Sequence, residues 1–240
     1  MKNGTKKGIF AKYCLVALFT ILLGFVGQIT GPTVPAAEAA GVVPAGPAYG
    51  AEYGEWSARW WQWAISIPVP VNPILSDGPV DCTLGQTGNV WFLAGNFGGK
   101  SNRTCTIQDK PLFFPVFNFV AFDPFHYETI LDLRKQVETP ILNPTNLRVK
   151  IDGLTLDRTQ LLNFRVQSPV FQVVIPKKAS PPPNPDPGPF LIGPGLHPTM
   201  VTDGYWLLLD PLGSGTHTIN IQAEGADGFS LDVTYNLTVQ

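Results

Sequence analysis

The sequence predicts a mainly β fold: an antiparallel β-sandwich or jelly roll with an N-terminal amphipathic helix and one further short helix. Three observations carry this expectation. Charged residues make up only 14% of the 240, while Gly and Pro stand at 24 each, a balance that favours many turns and short strands over long helices. The C-terminal stretch alternates apolar and polar residues through two runs joined by a turn, which is the period of half-buried strands. Four of the six tryptophans crowd into Tyr53 to Ile67 at helical spacing. With 44% apolar residues the chain can bury the core of one domain, expected over residues 53–240.

Residues 1–39 read as a cleaved signal peptide. Lys2, Lys6, Lys7 and Lys12 form a basic start, Cys14 to Val26 carries no charge, and Ala37-Glu38-Ala39 offers small residues for cleavage. Thirteen apolar residues fall short of the roughly twenty needed to span a bilayer, so no stable membrane anchor is expected after cleavage. The expected location is secreted or periplasmic. Cleavage would remove four lysines and Glu38 from the 16 basic and 18 acidic residues, leaving a net charge near −5. That balance argues against a nucleic-acid partner. It would also leave Cys82 and Cys105, an even pair in an exported chain and most simply a disulfide. Closing that 24-residue loop is worth about 3.5 kcal/mol in the chain-entropy model. A metal pair lacks nearby His or Cys partners, so neither metal nor other cofactor is expected.

Taken in order, residues 40–52 are rich in Ala, Gly and Pro without periodicity and read as a flexible leader. In the helix that follows, Tyr53, Trp56, Trp60, Trp63 and Ile67 share one stripe, with Glu55, Arg59, Gln62 and Ser66 opposite. Pro68 stops it, and Pro70 and Pro73 force extended chain to the turn at Gly78-Pro79. Val90 to Ala94 reads as a central strand and Arg103 to Gln108 as another, carrying Cys105. Leu112 to Phe122 is a third, where Pro115 implies an edge or a bulge. Asp123-Pro124 looks like a helix cap before Ile130, Leu133 and Val137, and Pro140 ends that second helix. Leu147, Val149 and Ile151 alternate into the turn at Asp152-Gly153, and Val166 to Ile175 is a further strand. Residues 176–198 form a proline-rich surface loop. Tyr205 to Leu209 is a buried run. His217 to Ala223 and Phe229 to Val239 then form a hairpin closed by Glu224 to Gly228.

The blocks YGEWSARWWQWAISIP at Tyr53 to Pro68, GQTGNVWFLAG at Gly85 to Gly95 and DGYWLLLDPLGSGTHTI at Asp203 to Ile219 together resemble a family of exported bacterial proteins. Its marks are an N-terminal WWQW-type tryptophan helix and an immunoglobulin-like C-terminal hairpin. The resemblance implies export and a β-rich fold, and it carries no catalytic residues over.

Two function classes follow. The first is a non-enzymatic exported protein with a binding, surface or structural role and a glycan or protein partner. The candidate contact residues are Trp61, which lies off the main stripe, Arg59 and His197, which sits amid proline and glycine near a possible cleft. Against this stands the blander reading that the broad aromatic stripe docks on the sheet as core, with Glu55 and Arg59 an ordinary surface pair. The second class is a secreted hydrolase of polysaccharide or peptide working through paired carboxylates drawn from Asp123, Glu128, Asp203 and Asp210. No nucleophile turn, metalloprotease signature or phosphate loop is present. His217 falls on the inward side of its strand and is expected to be hydrogen-bonded. Asp123, His126 and Glu128 lack the second histidine or cysteine that a zinc site wants. Asn102 and Asn236 head glycosylation acceptor patterns, relevant only in a host with that machinery.

Overall fold

The structure, a computed structural model, describes residues 41–123, 127–175 and 194–240, all within one compact unit. The signal-peptide segment, His126 and residues 176–193 of the proline-rich stretch lie outside them. Among the described residues no helix is long and apolar enough to cross a membrane.

The fold is mainly β. The first sheet runs in the order β1 (Trp91–Phe92), β3 (Leu112–Phe122), β8 (Gly195–Leu209), β6 (Arg165–Gln167), with β7 (Phe171–Ile175) also paired to β8. The second runs β2 (Gly99–Ile107), β10 (Ser230–Val239), β9 (Gly215–Glu224), β4 (Asn146–Ile151), β5 (Leu154–Leu156). Helices α1 (Tyr53–Ser66) and α2 (Ile130–Ile141) pack on the first sheet, and α3 (Arg158–Leu161) is a single turn.

Strand alternation sorts the contacts of the first sheet into two faces. Phe113, Asn118, Thr202 and Trp206 point toward α1: Trp60 meets Trp206 edge-on at 5.4 Å, and Phe113 stacks on Trp206 at 5.3 Å. Phe117, Phe119, Ala121 and Val201 point the other way, where Phe117 and Phe119 meet Phe229, just before β10, and Ala121 and Val201 meet Leu133 and Val137 of α2. The first sheet is therefore the middle layer, buried on both faces, which is why Val201 to Leu209 is uniformly buried instead of alternating.

The C-terminal hairpin forms as the alternation predicts, with Ser230 opposite Glu224 and Val239 opposite Gly215. Its far neighbour departs from the antiparallel expectation. β2 pairs with β10 in parallel, from Gly99 beside Leu231 to Ile107 beside Val239, and β1 pairs with β3 in parallel. Residues 108–111 lead from β2 in one sheet to β3 in the other, so β2 finds a partner remote in sequence, and alternation fixes a strand's face but not its neighbour's direction. The disulfide joins Cys82 to Cys105 on β2, with Cα atoms 5.8 Å apart.

Several elements differ from the sequence expectation for identifiable reasons. Val90 to Ala94 is not a central strand but a two-residue edge, β1. It is buried because Trp56 and Trp63 pack on Phe92, not because strands flank it. Pro115 does sit at a bulge, and β1 covers only Leu112 and Phe113, so its missing N–H disrupts no ladder on that side. The cap of α2 is Thr129, whose hydroxyl accepts from the Asp132 N–H, while Asp123 instead accepts the Glu128 N–H at 2.7 Å. Pro140 lies in the last turn of α2 and does not stop it. Val166 to Ile175 splits into β6 and β7 at Ser168 to Val170. The proline-rich loop ends earlier than expected, since Gly195 to Pro198 already belong to β8. Finally, the stretch from Gly41, read as flexible leader, is strapped along β8: Val42 bridges Leu209, and the Asp210 N–H donates to Gly41 O at 2.7 Å. The Tyr53 hydroxyl donates to Val43 O and accepts from the Leu208 N–H, locking that strap to α1.

Candidate functional site

The site is organised by α1. Its N-terminus is held by a capping box between Glu52 and Glu55, and its start lies so close to β6 that a Cβ on Gly54 would stand 2.5 Å from Gln167 O. The aromatic stripe is core, as its breadth suggested: Tyr53, Trp56, Trp60, Trp63 and Ile67 are buried while Glu55, Arg59, Gln62 and Ser66 are exposed. Every indole N–H on the helix is also tied to a different segment. Trp56 donates to Ala48 O, Trp60 to Leu93 O and Trp63 to Leu84 O, all at 2.8 to 2.9 Å. These rings are cross-links between the helix and its surroundings, with the polar tip of each satisfied inside.

Trp61 does not stand out as an exposed platform. It is 4% exposed, and its Nε1 donates to Asn118 Oδ1 and Thr202 Oγ1, both at 3.1 Å. The Thr202 hydroxyl passes the chain on to Phe119 O at 2.6 Å. Room for Asn118 beneath Trp61 exists because residue 204, its register partner, is glycine: a Cβ there would stand 2.4 Å from the Asn118 Cβ. Trp61, Asn118 and Thr202 thus form one hydrogen-bonded unit across two strands and a helix.

Trp61 and Asn118 of that unit floor a cleft of about 360 Å³ beside α1, lined also by Trp60, Ile74, Phe119, Val120, Phe229 and residues 95–97. Its lining holds aromatic rings and two primary amides, Asn96 and Asn118, and no charged side chain. Asn96 is fixed by donating to Ser101 Oγ at 2.8 Å and accepting the Gly98 N–H at 3.1 Å. The wall at Ala94 and Gly95 is held from behind by Arg103. Fully buried on β2, Arg103 donates to Ala94 O, Gly95 O, Ser76 O and the Tyr235 hydroxyl at 2.7 to 3.1 Å. Tyr235 in turn donates to Ala94 O at 2.8 Å, and burial pushes its phenol pKa up. Three carbonyls and a hydroxyl hold the two terminal nitrogens of this buried cation, while its Nε has no hydrogen-bond partner among the described residues.

On the opposite side of α1 lies a more open groove of about 540 Å³, bounded by Trp56, Arg59, Gln62, Trp63, Ser66, Phe92 and the loop 85–90. The Arg59 guanidinium lies 4.6 Å over the Trp56 ring. It does not pair with Glu55, which is engaged in the cap. Trp61 and Arg59, two positions apart on a helix, therefore open onto different depressions. His197 joins neither; it stands on β8 opposite Val173, half-buried.

Each of the four carboxylates named for a hydrolase is engaged by other groups of the chain. Asp203 is fully buried and accepts from Arg165 Nε at 3.1 Å, Arg165 Nη2 at 2.9 Å and Gln167 at 2.8 Å. Asp210, bonded by the Tyr49 hydroxyl, is seven residues along the same chain run, roughly 23 Å away at strand rise. Asp123 binds the Glu128 N–H, and Glu128 accepts from Gln136 at 2.7 Å. None of the four lines the cleft or the groove. Among the described residues no group of three or more His, Cys, Asp or Glu could hold a metal ion. His217 is hydrogen-bonded as expected, to Asp152 Oδ2 at 2.9 Å and Gly213 O at 3.1 Å, at the rim of its sheet and not in the core.

Neither a protein-family model, nor a curated protein, nor a solved structure matches the chain. The residues that build the cleft therefore rest on geometry alone. Asn96, Asn118, Thr202, Gly204 and Arg103 carried no signal as a motif. Arg103 had one faint mark: it shares strand parity with Cys105, the inward side of β2, where a charge is out of place.

Proposed function

We propose that this is an exported binding protein that takes a neutral ring, such as one sugar residue of a glycan, into the cleft at Trp61 and Asn118. The observation that carries the reading is the cleft's chemistry: aromatic walls and two primary amides, no charge, and a volume within the usual small-ligand range. A sugar presents an apolar C–H face to rings and hydroxyls to amides. Asn118 supplies an amide N–H₂ whose orientation is fixed because its oxygen accepts from Trp61. In this reading Trp61 is a positioning residue, set by Thr202 and Gly204, and not a stacking surface. Export fits the disulfide, since such bonds persist in oxidising compartments.

The test is saturation-transfer NMR of the chain with a panel of neutral mono- and disaccharides, repeated with Val120→Trp, which fills the cleft from its rim. Transfer to at least one sugar that disappears in Val120→Trp supports the site. Transfer unchanged by the filled cleft, or no transfer from any sugar, overturns it.

A further inference from the structure

The geometry points to a second binding site in the Arg59 groove, for an acidic sugar residue, with the Arg59 guanidinium taking its carboxylate. This is independent of the cleft, which lies on the other side of α1. The groove contains one cation and no carboxylate; its remaining polar lining is Gln62, Ser66, Thr87 and Asn89. Arg59 has no carboxylate or carbonyl partner among the described residues. The guanidinium lies 4.6 Å over the Trp56 ring, which seats the cation at the groove, and a guanidinium is the group suited to bidentate carboxylate recognition.

The neighbouring backbone decides between two kinds of acidic ligand. An acidic peptide would add to an open strand edge, and β1 is the edge beside this groove. That edge is closed. The Gln86 side chain accepts the Phe92 N–H at 3.0 Å and donates to Phe92 O at 2.8 Å, imitating a paired strand and leaving nothing for an incoming backbone. What remains open is the guanidinium, the Thr87 hydroxyl and the amide oxygens of Gln62 and Asn89, whose nitrogens donate to Gln172 O and Tyr49 O, above an apolar floor of Trp63, Val90 and Phe92. Hydroxyl and amide groups around a carboxylate receptor match a polyhydroxylated ring bearing one acid, a uronate. The loop that supplies them sits close on the helix: a Cβ on Gly85, at φ 66°, would stand 3.1 Å from the Trp63 ring.

The experiment follows the tryptophan indole N–H signals by heteronuclear NMR while the chain is titrated with glucuronate, glucose or a short glutamate peptide, at low and high salt. The expected result is that glucuronate at millimolar concentration shifts the Trp56 and Trp63 signals, that glucose does not, and that salt weakens the effect. Arg59→Gln should weaken glucuronate at least about tenfold, the factor that 1.4 kcal/mol of lost pairing represents. Thr87→Val should weaken it by a smaller factor. Equal shifts in wild type and Arg59→Gln, or shifts with the peptide matching those with glucuronate, would overturn the proposal. So would no glucuronate shift at all, and that outcome leaves the cleft reading standing on its own saccharide test.

Discussion

The two sides of α1 teach opposite lessons about polar groups. Toward the cleft, nearly every donor and acceptor already has an internal partner: Trp61 binds Asn118 and Thr202, Asn96 binds Ser101, and Arg103 fills the carbonyl cage behind Gly95. Toward the groove, Gln62, Ser66 and Asn89 also donate internally, but the Arg59 guanidinium has only the Trp56 face beneath it, and Thr87 is exposed. One side is built for fixed shape, the other for charge. The two arginines state the contrast most directly, since the same guanidinium is fully buried among oxygens at 103 and exposed over an indole at 59.

The largest expected effect separates those sides by stability. Trp60→Ala, in the middle of the aromatic stack, should cost about 3–5 kcal/mol in urea unfolding. Arg59→Ala should cost no more than about 1 kcal/mol, the worth of an exposed cation–π contact. Similar losses would break the distinction between core and surface faces of the helix. Next comes Arg103→Met, which removes the donor to the part-buried Gly95 O and Ser76 O and leaves Ala94 O with the Tyr235 hydroxyl alone. At about 1–3 kcal/mol per orphaned group, a loss of at least about 2 kcal/mol is expected, and cleft binding should fall with it. Stability and binding that both survive would show that the cleft wall does not depend on Arg103.

Gly204→Ala sharpens the comparison within the cleft. Its Cβ would meet that of Asn118 at 2.4 Å, so overpacking of about 1–3 kcal/mol is expected, together with a shifted Trp61 indole signal. Groove signals from Trp63 should stay in place. An unmoved Trp61 signal would show that residue 204 does not set the Trp61–Asn118 contact.

The smallest effect lies away from both depressions. The hydrogen bond from His217 to Asp152 holds the imidazole pKa above its ordinary 6.5. Partial burial pushes the Asp152 carboxyl up, but hydrogen bonds from His217 and the Thr218 N–H outweigh it and hold it below 3.8. A raised histidine contributes stability that is complete below pH 6.5 and disappears as pH rises through the raised value. A lowered carboxyl contributes above 3.8 and loses it on acidification. The pair therefore stabilises most between those limits, and Asp152→Asn should flatten the fall in Tm on the alkaline side. An identical Tm profile in the variant would remove the pair from the stability balance.

Much of this fold was legible in the sequence, because burial writes a period. The stripe of α1 and the alternation of β9 and β10 could be read directly, and the inward cysteine of β2 paired as composition and compartment suggested. What could not be read was adjacency between distant segments. Nothing in Gly99 to Ile107 announces a parallel partner at Leu231 to Val239, and nothing in Val90 to Ala94 says that helix rings, not strands, bury it. The site was less legible for the same reason. Spacing could put Trp61 off the stripe and Arg59 opposite it, but not show the depression that each faces. Asn118 and Gly204 gain meaning only once β3 and β8 place them side by side.

If the two sides of α1 bind separately, as proposed, the six indole N–H signals report it in one titration. A neutral saccharide bound in the cleft should move Trp60 and Trp61 and leave Trp56 and Trp63 unchanged. Neutral saccharides that move Trp56 and Trp63 instead, or that move none of the six, would contradict it.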